Sequence, residues 1–221
     1  MRRISLSLIS LSLWILLASL SSVATAAPDD GLADGLLAIE HQWEHIHYQL
    51  PDKQQEAAFP QLEANADELV KRYPDRAEPL VWKAIILSTH AGAKGGLGAL
   101  SMVRRARDLL EQAKKIDPDT LNGSIFTTLG SLYYQVPGWP LGYGDDKKAE
   151  SFLKKALQIN PDGIDANYFY GDFLYHTGHY SEALAALEKA MHAPDRPNRP
   201  LADQGRRREI QAVIAKIKDK T

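Results

Sequence analysis

The sequence contains no cysteine, which excludes disulfide bonds, thiol nucleophiles and zinc sites built from thiolates. It also has little excess charge of either sign, because 26 basic and 28 acidic residues give a formal net charge of −2. This mild balance argues against a general binding surface for nucleic acid or anionic membranes. The 221 residues must therefore be stabilised by helix packing rather than by covalent links.

The usual motifs of catalysis and phosphate binding are missing as well. No Ser–His–acid arrangement stands at a recognisable spacing. The glycine-rich stretch Gly92–Gly98 contains a lysine, but it lacks the Gly-Lys-Ser/Thr order of a phosphate-binding loop and follows no strand. We therefore expect no enzymatic activity and no cofactor.

One short motif does allow an enzymatic interpretation. The sequence HQWEH, from His41 to His45, matches the H-x-x-E-H pattern of inverted zinc peptidases. On a helix His41 and His45 lie one turn apart and could share a metal, with Glu44 as the base. The motif stands near the start of the mature chain, without the large catalytic domain that such enzymes need. A metal-dependent peptidase is therefore a remote alternative, and we expect no metal site.

The N-terminal residues indicate export. Arg2 and Arg3 precede an uncharged apolar run at residues 4–23, and small residues follow at 24–26. This order is typical of a cleaved signal peptide, so we assign residues 1–26 to one and predict a periplasmic or secreted protein. A retained membrane anchor is the alternative, because the run approaches the roughly 20 residues that span a bilayer. No cysteine follows the run, which excludes a lipoprotein anchor.

A repeated pattern of small and large apolar residues organises the second half of the chain. Three positions recur with the same residue type 34 residues later, namely Ala149 and Ala183, Leu153 and Leu187, and Ala156 and Ala190. Pro-Asp pairs at 74–75, 118–119, 161–162 and 194–195 separate the units, because proline ends a helix and aspartate can cap the next. This period resembles the tetratricopeptide repeat (TPR), in which each unit is two antiparallel helices.

The resemblance implies an all-α, TPR-like α-solenoid of antiparallel helix pairs with a C-terminal capping helix. The apolar periodicity predicts helices near 30–49, 54–73, 77–90, 99–116, 122–135, 146–159, 163–177, 181–192 and 202–219. They divide the mature chain into a degenerate N-terminal helix pair at 27–76, three TPR-like repeats at 77–197 and the capping helix at 198–221. The last helix has a narrow apolar stripe and basic residues elsewhere, as expected of a cap at an open end. A membrane-surface helix is the alternative there.

Two glycine-rich insertions lengthen the first two of these repeats. They are His90–Leu100 and Gln135–Asp146, each between the first and second helix of its unit. Because glycine and proline interrupt helices, we expect both segments to project from the same edge of the solenoid. Trp139 and Tyr143 in the second insertion are candidate contact residues.

The TPR resemblance also implies a concave groove lined by the first helix of each repeat. Transferring the family's groove positions to this sequence gives seven candidate partner-binding residues: Thr127, Ser131, Tyr134, Tyr168, Asp172, Tyr175 and His176. Aromatic rings with hydroxyl groups suit peptide contact, because they offer area at low entropy cost. The alternative is that the tyrosines fill the space between repeats. We expect a protein or peptide partner, no nucleic acid, and no stable membrane anchor after signal cleavage.

The segment VPGWPLGYGDDKKAESFLKKAL, residues 136–157, is similar to the T-component family of TRAP-type transport systems. This resemblance implies a periplasmic protein that associates with a substrate-binding protein and has a cavity for a hydrophobic ligand. The chain departs from the family in lacking a lipoprotein cysteine. Two functions thus remain open. One is a non-enzymatic TPR protein that binds a protein or peptide in its groove, and the other is a small-ligand-binding accessory component of a TRAP-type system.

Overall fold

The computed structural model describes residues 30–220, which form nine α-helices and no strand. The helices are α1 (Asp30–Gln49), α2 (Asp52–Arg72), α3 (Ala77–Lys94), α4 (Gly96–Ile116), α5 (Thr120–Gln135), α6 (Asp146–Ile159), α7 (Ile164–His176), α8 (Tyr180–Met191) and α9 (Pro200–Lys218). Every predicted helix is present, with ends within four residues of the expected ones. The signal peptide assigned to residues 1–26 lies outside the described residues. Within residues 30–220, no helix is both long enough and apolar enough to cross a membrane.

The helices form consecutive pairs, α1 with α2, α3 with α4, α5 with α6 and α7 with α8. The first helix of each pair also packs against the first helix of the next pair, and α7 packs against α9. The chain is therefore an all-α, TPR-like solenoid, as predicted. We call α1, α3, α5, α7 and α9 the inner helices.

Close packing within the pairs depends on glycine at the repeat positions. A Cβ atom on Gly130 would lie 3.3 Å from the carbonyl oxygen of Ala149, and one on Gly171 would lie 3.3 Å from that of Ala183. In both pairs the repeat's leucine covers the glycine and is fully buried. The 34-residue sequence repeat thus places the same contact, a glycine of one helix against a leucine and an alanine of the other, in both pairs.

The first insertion, His90–Leu100, is not the projecting loop that we expected. α3 continues to Lys94 and α4 begins at Gly96, so the insertion extends both helices and leaves Gly95 as the link. Gly95 and Gly96 both have φ near +64°, a left-handed conformation that glycine adopts without steric cost. The chain therefore reverses at Gly95 alone. The other glycines of the insertion lie within α3 or α4 and do not end these helices.

The second insertion forms a loop at residues 136–145 that packs back onto α4. The hydroxyl group of Tyr143 donates a hydrogen bond of 2.8 Å to the carbonyl oxygen of Val103, and the guanidinium of Arg107 lies 4.5 Å above the tyrosine ring. Trp139, in contrast, is 90% exposed. Of the two predicted contact residues, Tyr143 fixes the loop and Trp139 projects into solvent.

The last helix, α9, covers the α7–α8 pair as a capping helix does, but the end that it covers is not open. Its apolar stripe of Ile210, Val213 and Ile217 is buried, as its pattern predicts, but Asp203 and Arg206 on its polar side are buried as well. The reason is that α9 contacts α7 and α8 and also α1, at the opposite end of the chain. The row of inner helices is thereby closed into a ring, and we call the contact between α1 and α9 the seam.

Candidate binding cavity

A cavity of about 940 Å³ lies inside the ring, and we call it the central cavity. All five inner helices and the segment 194–199 before α9 contribute to its lining. Most of its apolar and aromatic surface comes from α1, α3 and α7, through Trp43, Tyr48, Trp82, Ile85, Tyr168 and Phe169. The ring closure narrows what would be an open groove into a central cavity that stays partly open to solvent.

Small hydroxyl residues of α3 and α5 form one wall. Ser88 and Ser124 each donate a hydrogen bond of 2.7 Å to a carbonyl oxygen in the preceding turn of the chain. Thr127 and Ser131 donate to carbonyl oxygens in α5 in the same way. Because the hydroxyl protons are used inside the helices, these groups face the cavity mainly as hydrogen-bond acceptors.

The beginning of α5, which also lines the central cavity, has an unusual backbone. Leu121 and Asn122 have φ of 50° and 51°, and Gly123 has φ of 81°. Left-handed conformations are costly for a residue such as leucine and persist only where the surrounding structure enforces them. Such strain is often found at binding sites, and here it shapes the wall beside Ser124.

The opposite wall is ionic and is centred on Arg206 of α9. This guanidinium donates hydrogen bonds of 2.7 Å to Asp165 and 2.5 Å to Glu209, and it lies 4.5 Å above the ring of Tyr168. Asp165 also accepts a hydrogen bond of 2.6 Å from Arg196. The arginine is therefore held by charge, hydrogen bonds and an aromatic face at once.

Asp165 has the most strongly perturbed carboxyl group of this wall. Burial raises its pKa, but the charges of Arg206 and Arg196 outweigh burial and hold the pKa well below its usual range. Although it lies deep in the molecule, 35% of its side chain is accessible, because it faces the central cavity. The carboxylate is thus ionised and partly hydrated.

Polar contacts close the seam. Arg199, just before α9, donates a hydrogen bond of 2.6 Å to the buried Glu44 of α1. His47 lies 3.2 Å from Glu209 across the seam. Gly205 lies directly under the ring of Tyr48, so closely that a Cβ atom there would overlap the ring. The two ends of the described chain are thus joined by charge and by shape.

Glu40, Trp82 and His47 are the least satisfied polar groups of the lining, since the buried Nδ1 of His47 also has no hydrogen-bond partner among residues 30–220. Arg199 lies 3.5 Å from the carboxylate of Glu40, farther than from Glu44, and burial raises the pKa of Glu40 although Arg199 partly offsets this. The indole N–H of Trp82 faces Glu40, but among residues 30–220 it has no partner in good hydrogen-bond geometry. Trp82 is only 4% exposed. A buried donor without a well-aligned acceptor is rare and costs stability.

The structure divides the seven candidate groove residues into two groups. Thr127, Ser131 and Tyr168 line the central cavity. The other four lie nearer the C-terminal ends of α5 and α7, outside the cavity lining: Tyr134, Asp172, Tyr175 and His176. Tyr134 and Asp172 are bonded to each other at 2.6 Å. That tyrosine fills space between repeats, which was the alternative interpretation.

The HQWEH motif is not arranged as a peptidase site. Glu44 is buried and bonded to Arg199, so it is not free to act as a base. His41 and His45 are exposed, and they contact the carbonyl oxygen of Asn198 and the side chain of Gln49. Within residues 30–220, no group of three or more His, Asp or Glu side chains is placed to hold a metal ion. The motif instead belongs to the seam.

Sequence reasoning missed the contributions of α1 and α9 to the site. The missed residues are Glu40, Trp43, His47 and Tyr48 on α1, and Arg196, Arg199, Arg206 and Glu209 at α9. Two signals for α9 were present in the sequence. Gly205 stands inside a helix, where glycine usually marks a close approach, and Arg206 and Glu209 have the spacing of an intrahelical ion pair.

A comparison with protein families agrees with the repeated helix pairs. The tetratricopeptide repeat family matches residues 141–203. Among solved structures, the chain is similar to TTC0263, a thermophilic TPR protein of Thermus thermophilus, with 16% identity, 81% of this chain and 98% of that chain covered, and a TM-score of 0.41. It is also similar to PilF of Pseudomonas aeruginosa, with 14% identity, 85% and 89% covered, and a TM-score of 0.34. No match was found among curated proteins.

The helix pairs and the family match together support the TPR superfamily. TPR proteins are generally interaction scaffolds without catalytic activity, and they typically bind protein partners. The more specific similarity to the T-component family of TRAP-type systems stays a prediction.

Proposed function

We propose that this protein is exported and binds a segment of a protein partner in the central cavity, without catalysing a reaction. The observation that carries the proposal is the closed ring with its cavity of about 940 Å³. Ligand pockets typically have roughly 300–1,000 Å³, so the cavity suits a short segment better than a folded surface.

The chemistry of the lining supports a peptide occupant. Hydroxyl acceptors of α3 and α5 suit backbone N–H groups, and the aromatic rings of Trp43 and Tyr168 offer contact area for side chains. Ion pairs already hold the arginines of the opposite wall, so that wall is pre-organised. A rigid site of mixed polarity lowers the entropy cost of ordering a flexible segment.

Site-directed photocrosslinking tests the proposal, and the absence of native cysteine makes it unambiguous. A benzophenone attached to Ser88→Cys or Ser124→Cys would lie in the central cavity, whereas one attached to Ser151→Cys would lie on the exposed surface of α6. In the native host, we expect the two cavity positions to crosslink to the same protein and the α6 position not to. Equal capture at all three positions, or a small molecule in the cavity with no crosslinked protein, would contradict the proposal.

Export is supported by the order of basic, apolar and small residues at 1–26. The test is to recover the protein from the extracytoplasmic fraction and determine its N-terminal sequence. We expect a mature chain that begins near residue 27. Recovery of the intact N-terminus from the cytoplasm would argue against export.

A further inference from the structure

The lining of the central cavity carries an excess of negative charge. Six carboxylates line it but only three arginines, and no lysine of residues 30–220 is among the lining residues. The carboxylates are Glu40, Asp52, Asp162, Asp165, Asp195 and Glu209, and the arginines are Arg196, Arg199 and Arg206. Asp52, Asp162 and Asp195 are exposed, so the electrostatic field is strongest at the less exposed carboxylates, and an excess of negative charge there favours a cationic occupant.

Most of these carboxylates already have partners. Asp162 and Asp195 form ion pairs of 3.1 Å with Lys189 and 2.8 Å with Arg207, which lie outside the cavity lining. Asp165 and Glu209 are bonded to Arg206, as described above. The excess negative charge therefore rests mainly on the two remaining carboxylates of the lining, Glu40 and Asp52.

Glu40 is the inner carboxylate that the protein leaves poorly compensated. Its nearest cation, Arg199, is held closer by Glu44, at 2.6 Å against 3.5 Å. Only 16% of the Glu40 side chain is exposed, so water compensates its charge poorly. Burial raises the pKa of Glu40 in spite of Arg199, in agreement with a poorly compensated charge.

The indole N–H of Trp82, which faces Glu40, is a second observation at the same place. The Trp82 side chain lines the central cavity, is 96% buried (4% exposed), and has an indole N–H without a well-aligned acceptor among the described residues. A buried donor of this kind fits an acceptor oxygen brought in by a ligand. A poorly compensated carboxylate and a buried donor without a well-aligned acceptor thus lie side by side.

We propose that Glu40 and Trp82 form a subsite for a lysine or arginine of the partner segment. The carboxylate of Glu40 pairs with the cationic side chain, and the indole N–H of Trp82 donates to a backbone carbonyl oxygen of the same segment. Glu44 neutralises Arg199, so that the arginine above the Trp82 ring does not repel the incoming charge. This inference rests on the proposed function and specifies the partner by its charge.

The test is a selection of capped random heptapeptides on the full mature chain. We expect the enriched peptides to share a basic residue at one position. The same selection on Glu40→Gln should lose this preference, and Glu188→Gln should keep it, because Glu188 is an exposed carboxylate on α8. Trp82→Phe removes the donor but not the charge, so it should weaken binding severalfold and preserve the basic preference.

A double-mutant cycle with one enriched peptide makes the test quantitative. Replacing the peptide's basic residue by norleucine, or Glu40 by glutamine, should each weaken binding on the order of tenfold or more. The two changes together should cost no more than one alone, because each removes the same pair. Thermal unfolding of the variants checks that the fold is intact.

The outcomes separate this inference from the function on which it rests. Peptides that crosslink at Ser88→Cys but show no basic preference, or losses that simply add in the cycle, would overturn the Glu40 subsite and leave partner binding intact. Failure to enrich any peptide that reaches the central cavity would count against both.

Discussion

Replacing Gly205 by alanine tests whether the seam closes through close contact of α9 with α1. A Cβ atom at this position would lie 2.5 Å from both Cε1 and Cγ of the Tyr48 ring. The ring is rigid, and its hydroxyl group lies 3.4 Å from Glu209, so it is also held from the other side. The added methyl group therefore forces either the ring or the whole of α9 to move.

The magnitude follows from two opposing effects. Overpacking of this kind costs about 1–3 kcal/mol, whereas alanine is favoured over glycine inside a helix by about 1 kcal/mol. Gly92 in α3 provides the matched control, because a Cβ there would meet no described atom within 4 Å apart from its chain neighbours and the backbone of its own helix. We expect Gly92→Ala to raise the free energy of unfolding by about 0.5–1 kcal/mol. The free energy of unfolding of Gly205→Ala should be lower than that of Gly92→Ala by about 1–3 kcal/mol.

Urea unfolding measures the stability difference, and a distance measurement shows its location. Spin labels on His45→Cys and Arg208→Cys, both at exposed positions, report the separation of α1 and α9 in a chain that has no native cysteine. Gly205→Ala should lengthen or broaden that distance, and Gly92→Ala should not. If the two glycine variants are equally stable and the distance is unchanged, our account of the seam is wrong.

Three further predictions concern other parts of the structure. Asp165→Asn should lower the free energy of unfolding at pH 7 by about 1–3 kcal/mol, less than for a fully buried pair, because the carboxylate is partly hydrated. Since the pKa of Asp165 is lowered in the folded state, the wild-type advantage is complete above about pH 4 and declines as the pH falls further, which urea unfolding at pH 7 and pH 3 would show. Tyr143→Phe removes the hydrogen bond to Val103 and should lower the free energy of unfolding by about 0.5–1.5 kcal/mol in the same assay. An unchanged free energy of unfolding would contradict the packing of the loop on α4. Trp139→Ala should change the midpoint of thermal unfolding little, since an exposed substitution usually stays within about 0.5 kcal/mol, and a large loss would show that Trp139 is packed.

The helix pairs were predictable because the signals for them are local. The recurrence of Ala149 and Leu153 as Ala183 and Leu187 directly encodes how one helix of a pair approaches the other. Helix ends were less certain where glycine is dense, because glycine can end a helix or merely turn the chain between two. The sequence of α3 and α4 is compatible with both possibilities, and the structure shows that Gly95 links the two helices.

The central cavity was only half predictable. Thr127, Ser131 and Tyr168 could be found because they occupy fixed positions on first helices. The seam depends instead on the summed rotation of all the repeats, and it brings together His47 and Glu209, which are 162 residues apart. Arg206 illustrates the difficulty, since the same spacing on a helix fits both a solvated cap and a buried ion pair.

The seam also changes how the molecule is expected to come apart. An open solenoid behaves as a row of units coupled only to their neighbours, so its end repeats fray independently of the middle. Here α1 and α9 stabilise each other, so neither is a free end, and local opening at one end removes contacts from the other. The protein should therefore unfold more cooperatively than an open array of the same length. Amide hydrogen exchange in α1 and α9 should be almost as slow as in α5.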